Sequence, residues 1–208
     1  MMTPIIIDEN IKKLLSFIPS DSEAFYVPVV PEDYAKPTFC FPSVEEKIKR
    51  NGGNILYGWQ IWKTQILVEA EFHAVWKSEI GECIDITPKQ IPTNKILFKP
   101  DINTPYCGIQ IDNIRLNITT NTIVDDLILI SKALFRHTNK GNYAYQTGMI
   151  KFIGKDAQIF ETLSKIKSCL LFMIGKGKTR NDLCFCGSGL QYKECHEVDI
   201  REGVKFIL

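Results

Sequence analysis

The chain has 208 residues, 45% of them hydrophobic and 24% charged, with Lys plus Arg (25) nearly balancing Asp plus Glu (24). That length can bury a real core without disulfides. A net charge of +1 argues against nucleic-acid binding driven by overall charge.

Residues 8–18 (DENIKKLLSFI) place Ile11, Leu14, Leu15 and Ile18 on one helical face, with Asp8 as N-cap. A strand-like run follows at Ala24–Val30, then a turn-rich stretch with Pro31 and Pro37. FPSVEEKIKRN (41–51) reads as a short helix with Pro42 in its first turn, Glu45 and Glu46 at its positive end, and Gly52-Gly53 as the stop. ILYGWQIW (55–62), QILVEAEFHAVW (65–76) and ECIDI (82–86) are rich in β-branched and aromatic residues and joined by hairpin-length breaks. In the middle run Ala70, Phe72, Ala74 and Trp76 share one face, and Glu71, His73 and Val75 the other. KILFK (95–99), GIQI (108–111) and IRLNI (114–118) are expected to extend the sheet. Helical spacing then recurs at Ile123, Leu127, Ile130 and Leu134, and again at Ile159, Leu163, Ile166 and Leu170, ending at Gly175.

The opening MMTPIIIDENIKK carries neither a basic n-region nor a long apolar run, and CLLFMI (169–174) is too short to span a bilayer. The expectation is a cytoplasmic protein with no membrane segment. Its seven cysteines then read as reduced thiols, available for metal or chemistry.

The sharpest signal is NDLCFCGSGLQYKECH (181–196). Cys184, Cys186, Cys195 and His196 supply three thiolates and an imidazole, a full tetrahedral set for structural Zn²⁺. Gly187 and Gly189 permit the tight turn between them. So short a segment has little core, so a bound metal would supply most of its folding free energy. The closed set of four ligands argues against zinc catalysis. This segment resembles the SEC-C motif, the zinc knuckle of the SecA translocase tail, through Arg180-Asn181-Asp182, Cys-x-Cys-Gly-Ser-Gly, Tyr192-Lys193 and Cys195-His196. The resemblance implies a bacterial or phage origin and a small module that docks on a partner.

A second pattern concerns a Cys-His-Asp set. Cys40 lies just before a helix whose N-terminal end favours a thiolate. His73 lies in a strand and Asp85 in the next, across a hairpin, so Asp85 can orient the imidazole toward the thiol. Backbone N–H groups at Cys40 are candidate oxyanion donors. The order Cys, helix, His strand, Asp strand, and the run EFHAVWKSEIGECIDITP (71–88), resemble the transglutaminase-like branch of the papain-like superfamily. The Trp is one place late, and a Gly before the nucleophile is lacking. The resemblance implies a protease, deamidase or acyltransferase. The competing reading makes Cys40 a packing residue and His73 a core histidine bonded to Glu71 or Asp85.

Cys83, the rival nucleophile, shares a strand face with Asp85. Cys107 and Cys169 read as packing residues, His137 as a helix-end cap, and Trp59, Trp62 and Trp76 as core. Glu69 and Glu71 read as a solvated or ion-paired face. Lys165, Lys167, Lys176, Lys178 and Arg180 make the one concentrated basic patch, usually a solvated helix end but able to grip a nucleic acid, a ribosome or an acidic partner.

The expected architecture is α+β: an antiparallel sheet with flanking helices, papain-like or transglutaminase-like, over residues 1–174, a basic linker at 175–182, and the knuckle and tail at 183–208. The expected function is a thiol-dependent amide hydrolase or acyltransferase on a macromolecular target. The alternative is a non-enzymatic adaptor that uses the knuckle to bind a protein, ribosome or nucleic acid.

Overall fold

The computed structural model describes residues 2–145 and 150–207. The chain forms two compact units: residues up to Tyr106 with Asn113–Leu116, and Cys107–Asp112 with the chain from Asn117 onward. The helices expected within the 1–174 domain therefore group with the knuckle rather than with the sheet.

The first unit is α+β with an antiparallel sheet. Helix α1 (Glu9–Leu15) starts where Asp8 Oδ1 accepts from the Ile11 N–H at 3.0 Å, and it buries Ile11 and Leu14. Helix α2 (Cys40–Asn51) begins one residue before the expected 41–51, so Cys40 is its first residue and Pro42 its third. Proline is tolerated there because first-turn N–H groups have no partner within the helix. Glu45 and Glu46 fall beyond the first turn.

Strands β1 (Phe25–Pro28), β2 (Asn54–Lys63), β3 (Leu67–Lys77), β4 (Cys83–Ile84) and β5 (Lys95–Pro100) lie in the order β1-β5-β2-β3-β4, and β6 (Ile114–Asn117) pairs with β3. The expected 55–62 and 65–76 hairpin is present, with Gly58 opposite His73 and Tyr57 opposite Ala74. The 95–99 strand joins the sheet between β1 and β2, not beyond β4. The expected strand 108–111 is absent: those residues are irregular, and Gly108 has φ +83°. The expected 82–86 strand is shorter, because β4 pairs with β3 only at Trp76–Ile84 and Lys77–Cys83.

Beyond that point the chain leaves β3 and bonds to the far edge strand. Asp85 N donates to Pro28 O and Val30 N donates to Asp85 O, both at 2.9 Å. The two edges of the sheet thus meet. Inside the curl pack Val27, Val75, Ile96 and Phe98, with Leu56, Val29 and Cys83 against them. Gly58 leaves room for that packing, since a Cβ on it would lie 2.6 Å from Phe98 Cζ. On the outer side α2 covers Cys40, Val44, Ala74 and Ile86, flanked by Phe41, Ile48, Tyr57 and Trp76. His73 shares the Val75 side of β3 because side chains alternate along a strand.

The second unit is helical: α3 (Ile123–Thr138), α4 (Gly154–Gly175), the cysteine segment, and α5 (His196–Gly203). Among the described residues no helix is long and apolar enough to cross a membrane.

Candidate metal centre and a buried histidine–carboxylate pair

The ligand atoms of Cys184, Cys186, Cys195 and His196 all lie within 4.8 Å of one another. His196 presents Nδ1, 3.3 Å from Cys184 Sγ and 3.2 Å from Cys195 Sγ, and the Cys186 and Cys195 sulfurs are 3.6 Å apart. Metal–sulfur bonds of about 2.3 Å would set tetrahedral ligands about 3.8 Å apart, so the quartet fits one small tetrahedral ion. The backbone builds this arrangement locally. Leu183 and Gln191 form an antiparallel bridge, Cys184 N donates to Leu190 O at 2.8 Å, and Gly187 and Gly189 take φ of +78° and +79° between the arms. Hydrogen bonds from the Ser188 hydroxyl and N–H pull the exposed Cys186 thiol down to about 6. The chemistry suits a thiolate ligand.

The knuckle is fastened to α3. Tyr192, fully buried, donates to Asp126 Oδ2 at 3.0 Å, and Arg201 Nε donates to Asp126 Oδ1 at 2.8 Å. Glu197 joins Arg201 to Arg180 at 2.8 and 2.6 Å. Burial pushes both Asp126 and Tyr192 up, which marks the cost of enclosing their anionic forms. Tyr192→Phe leaves Asp126 Oδ2 without that donor and is expected to cost about 1–2 kcal/mol in urea denaturation. The 175–182 stretch is likewise anchored: Asn121 Nδ2 donates to Lys178 O at 2.7 Å and Lys178 pairs with Asp182.

The second cluster lies in the sheet unit. His73 Nε2 is 3.1 Å from Asp85 Oδ2, with His73 5% exposed and Asp85 fully buried. Asp85 Oδ1 accepts the Thr87 N–H at 3.0 Å. Burial works against both charged forms and is outweighed. The Asp85 charge, joined by that of Cys40, holds His73 up at about 9. His73 and Lys89 hold Asp85 down at about 2.

Cys40 heads α2 and packs in the cluster with Ala74 and Ile86, the residues that follow His73 and Asp85. Lys89 Nζ lies 3.3 Å from His73 Nε2 and opposes the charged ring, whereas the Asp85 charge favours it. Cys40, 6% exposed, packs on the Ala74 side of β3, and no hydrogen bond joins its thiol to the His73 ring among the described residues. Two residues before Cys40, Thr38 has φ +69°, a left-handed conformation that costs a non-glycine residue free energy and concentrates at functional sites.

Other candidates resolve into structure. Cys83 packs in the inner cluster, where burial raises its thiol. Cys107 is exposed, which overturns its packing role. His137 is buried, with Nε2 donating to Asp156 O at 2.8 Å, and so ties α4 to the end of α3 rather than capping in solvent. Trp59 is core, bonded to Asp101 at 2.8 Å. Glu69 pairs with Arg115 at 2.7 Å and Glu71 accepts from Trp62 at 2.7 Å. Lys89, unforeseen from the sequence, bonds Asp85. Its only local signal is its place four residues after Asp85 in DITPK.

Residues 180–197 match the family model described as SEC-C motif. No curated protein and no solved structure matches the chain. The chain thus carries a SEC-C motif whose three cysteines and one histidine form a metal-ready cluster.

Proposed function

We propose that the sheet unit is a thiol-dependent amide hydrolase or acyltransferase acting on a macromolecular target, with a transglutaminase-like or papain-like core. Cys40 is the nucleophile, His73 carries the proton and Asp85 orients the imidazole. The observation that carries this reading is the His73–Asp85 contact of 3.1 Å, with Cys40 at the head of α2. The order helix with Cys, strand with His, then Asp just past the next strand supports the same core.

Charge supports it too. His73 held at about 9 is an imidazolium at neutral pH, Lys89 is an ammonium and Asp85 a carboxylate. A buried set with two positive charges and one negative is costly unless a further anion balances it. On this reading the Cys40 nucleophile reacts as the anion that balances the set. In the reaction the thiolate adds to the amide carbonyl. His73 gives its proton to the departing amine, and the C–N bond breaks to leave an acyl-thioester. An incoming water or amine, deprotonated by His73, then releases Cys40. The N–H groups of Cys40 and Phe41, unbonded within the first turn of α2, are the candidate donors to the oxyanion.

The knuckle, in this reading, holds Zn²⁺ in a structural role, since soft thiolates with one imidazole in a closed tetrahedral set favour that ion. Seven free cysteines fit the reducing cytoplasm. A second reading, docking without catalysis, draws on Leu183 and Leu190, which flank the ligands and are 65% and 48% exposed. Within the basic patch, Lys178 and Arg180 are paired with Asp182 and Glu197. That favours a protein partner over a nucleic acid.

The test is the alkylation rate of each cysteine with iodoacetamide, followed by mass spectrometry on the metal-loaded protein. Cys40 is expected to react fast below pH 7 and at least about tenfold slower in His73→Ala. A slow Cys40, indifferent to His73, would leave the docking reading alone.

A further inference from the structure

After β4 the chain passes back to β1, and the crossover that follows carries Lys89 into the cluster. Its Nζ lies 2.5 Å from Asp85 Oδ2, 2.9 Å from Gln60 Oε1 and 3.3 Å from His73 Nε2. The Lys89 side chain is 7% exposed. A lysine this enclosed is rare unless paired, and this one is paired with the carboxylate that serves the histidine.

Asp85 is fully committed. Its Oδ1 takes the Thr87 N–H at 3.0 Å, and Oδ2 is shared by Lys89 at 2.5 Å and His73 at 3.1 Å. The shorter contact goes to the ammonium. A carboxylate neutralised in this way still fixes the plane of the imidazole but offers it less charge. The groups facing His73 are Cys40 from α2, Asp85 and Lys89 from the β4–β5 crossover, and the neutral Gln60 from β2. Of these, Asp85 is the one carboxylate, and Lys89 holds it at 2.5 Å.

Resting on the catalytic reading above, we propose that Lys89 is a positioning residue of the Cys40–His73–Asp85 site. It takes up part of the charge of Asp85, which therefore holds the His73 proton less tightly than an unshared carboxylate would. The carboxylate thus orients the ring without trapping the proton that the leaving amine needs. A purely structural lysine would pin the crossover to the sheet and leave the histidine's proton affinity alone.

The two roles separate in the titration of the His73 imidazole, followed by ¹⁵N NMR in Lys89→Gln and Lys89→Arg. Lys89→Gln keeps a polar side chain beside Gln60 but removes the charge. It is expected to raise the His73 midpoint by about one unit, about tenfold in proton affinity. Lys89→Arg keeps the charge and is expected to stay within about 0.3 units of the wild type. A Lys89→Gln midpoint equal to the wild type, in a protein with unchanged amide dispersion, overturns the proposal. Should Lys89→Gln fail to fold, the similarly long, uncharged Lys89→Met takes its place: a midpoint raised by about a unit supports the role, and a wild-type midpoint overturns it. The alkylation of Cys40 in the wild type and His73→Ala does not involve Lys89, so failure of the catalytic reading shows there and not here.

Discussion

Chelating the metal, or replacing Cys195 with Ser, is expected to abolish amide-exchange protection across residues 182–203 and to lower the unfolding midpoint of the helical unit. The segment between Asp182 and His196 has almost no core of its own, and Tyr192 is its one fully buried large side chain. Structural zinc contributes about 10–16 kcal/mol of apparent binding free energy in comparable small modules, which is folding free energy when no site exists unfolded. Tyr192 lies three residues before Cys195, whose N–H donates to Tyr192 O at 3.1 Å. Loss of the metal therefore loosens Tyr192, and with it the hydroxyl that bonds the buried Asp126 of α3. Protection retained at the Tyr192–Cys195 amides after complete chelation would show that α3, rather than the metal, holds the knuckle.

Asp85→Ala is expected to destabilise the sheet unit by about 3–5 kcal/mol, because it leaves the His73 and Lys89 cations buried without their carboxylate. The same pair gives stability a pH dependence with a definite sign. His73 is raised from 6.5 to about 9, so its contribution is fully present below 6.5 and is lost as pH rises through 9. Asp85 is lowered from 3.8 to about 2, so its contribution is present above 3.8 and is lost as pH falls toward 2. Stability should accordingly peak between about pH 4 and 6.5, with about 2 kcal/mol lost on the acid flank and about 3 kcal/mol on the alkaline one. The two flanks report one interaction and do not add. Urea midpoints that stay level from pH 4 to 10 in the wild type would contradict the pairing. Asp85→Asn should flatten the alkaline flank.

The metal quartet was legible because its ligands are local. Fifteen or so residues fix both the turn and the spacing, and a tetrahedral ion accepts few other arrangements. The anchoring of that knuckle was not legible, since Asp126 lies 66 residues from Tyr192 and nothing near either residue announces the other. In the sheet unit, α1 and the β2–β3 hairpin followed from Asp8, the apolar period and the β-branched runs. Strand order did not follow, because β5 enters between β1 and β2 through a long-range pairing that no local pattern encodes. GIQI (108–111) had the alternation of a strand but begins at a glycine with φ +83° and has no partner strand.

His73 and Asp85 were legible as strand and following strand, and the structure brings them together. Their meeting depends on a feature invisible in the sequence, the departure of the chain from β3 after Ile84 to bond Pro28 and Val30. Lys89 escaped notice for the same reason. A lysine four residues past an aspartate signifies a pair on a helix, whereas here a crossover loop makes the contact.

The account turns on whether the charges of Cys40 and His73 are coupled. The most direct test is the ¹⁵N NMR titration of the His73 imidazole in the metal-loaded wild type and in Cys40→Ser. The expected wild-type midpoint is about 9, with imidazolium shifts throughout the neutral range, and a clear fall in Cys40→Ser as the thiolate charge is removed. A His73 that is neutral at pH 7, or whose midpoint is the same with and without the Cys40 thiol, would contradict the thiolate–imidazolium pair.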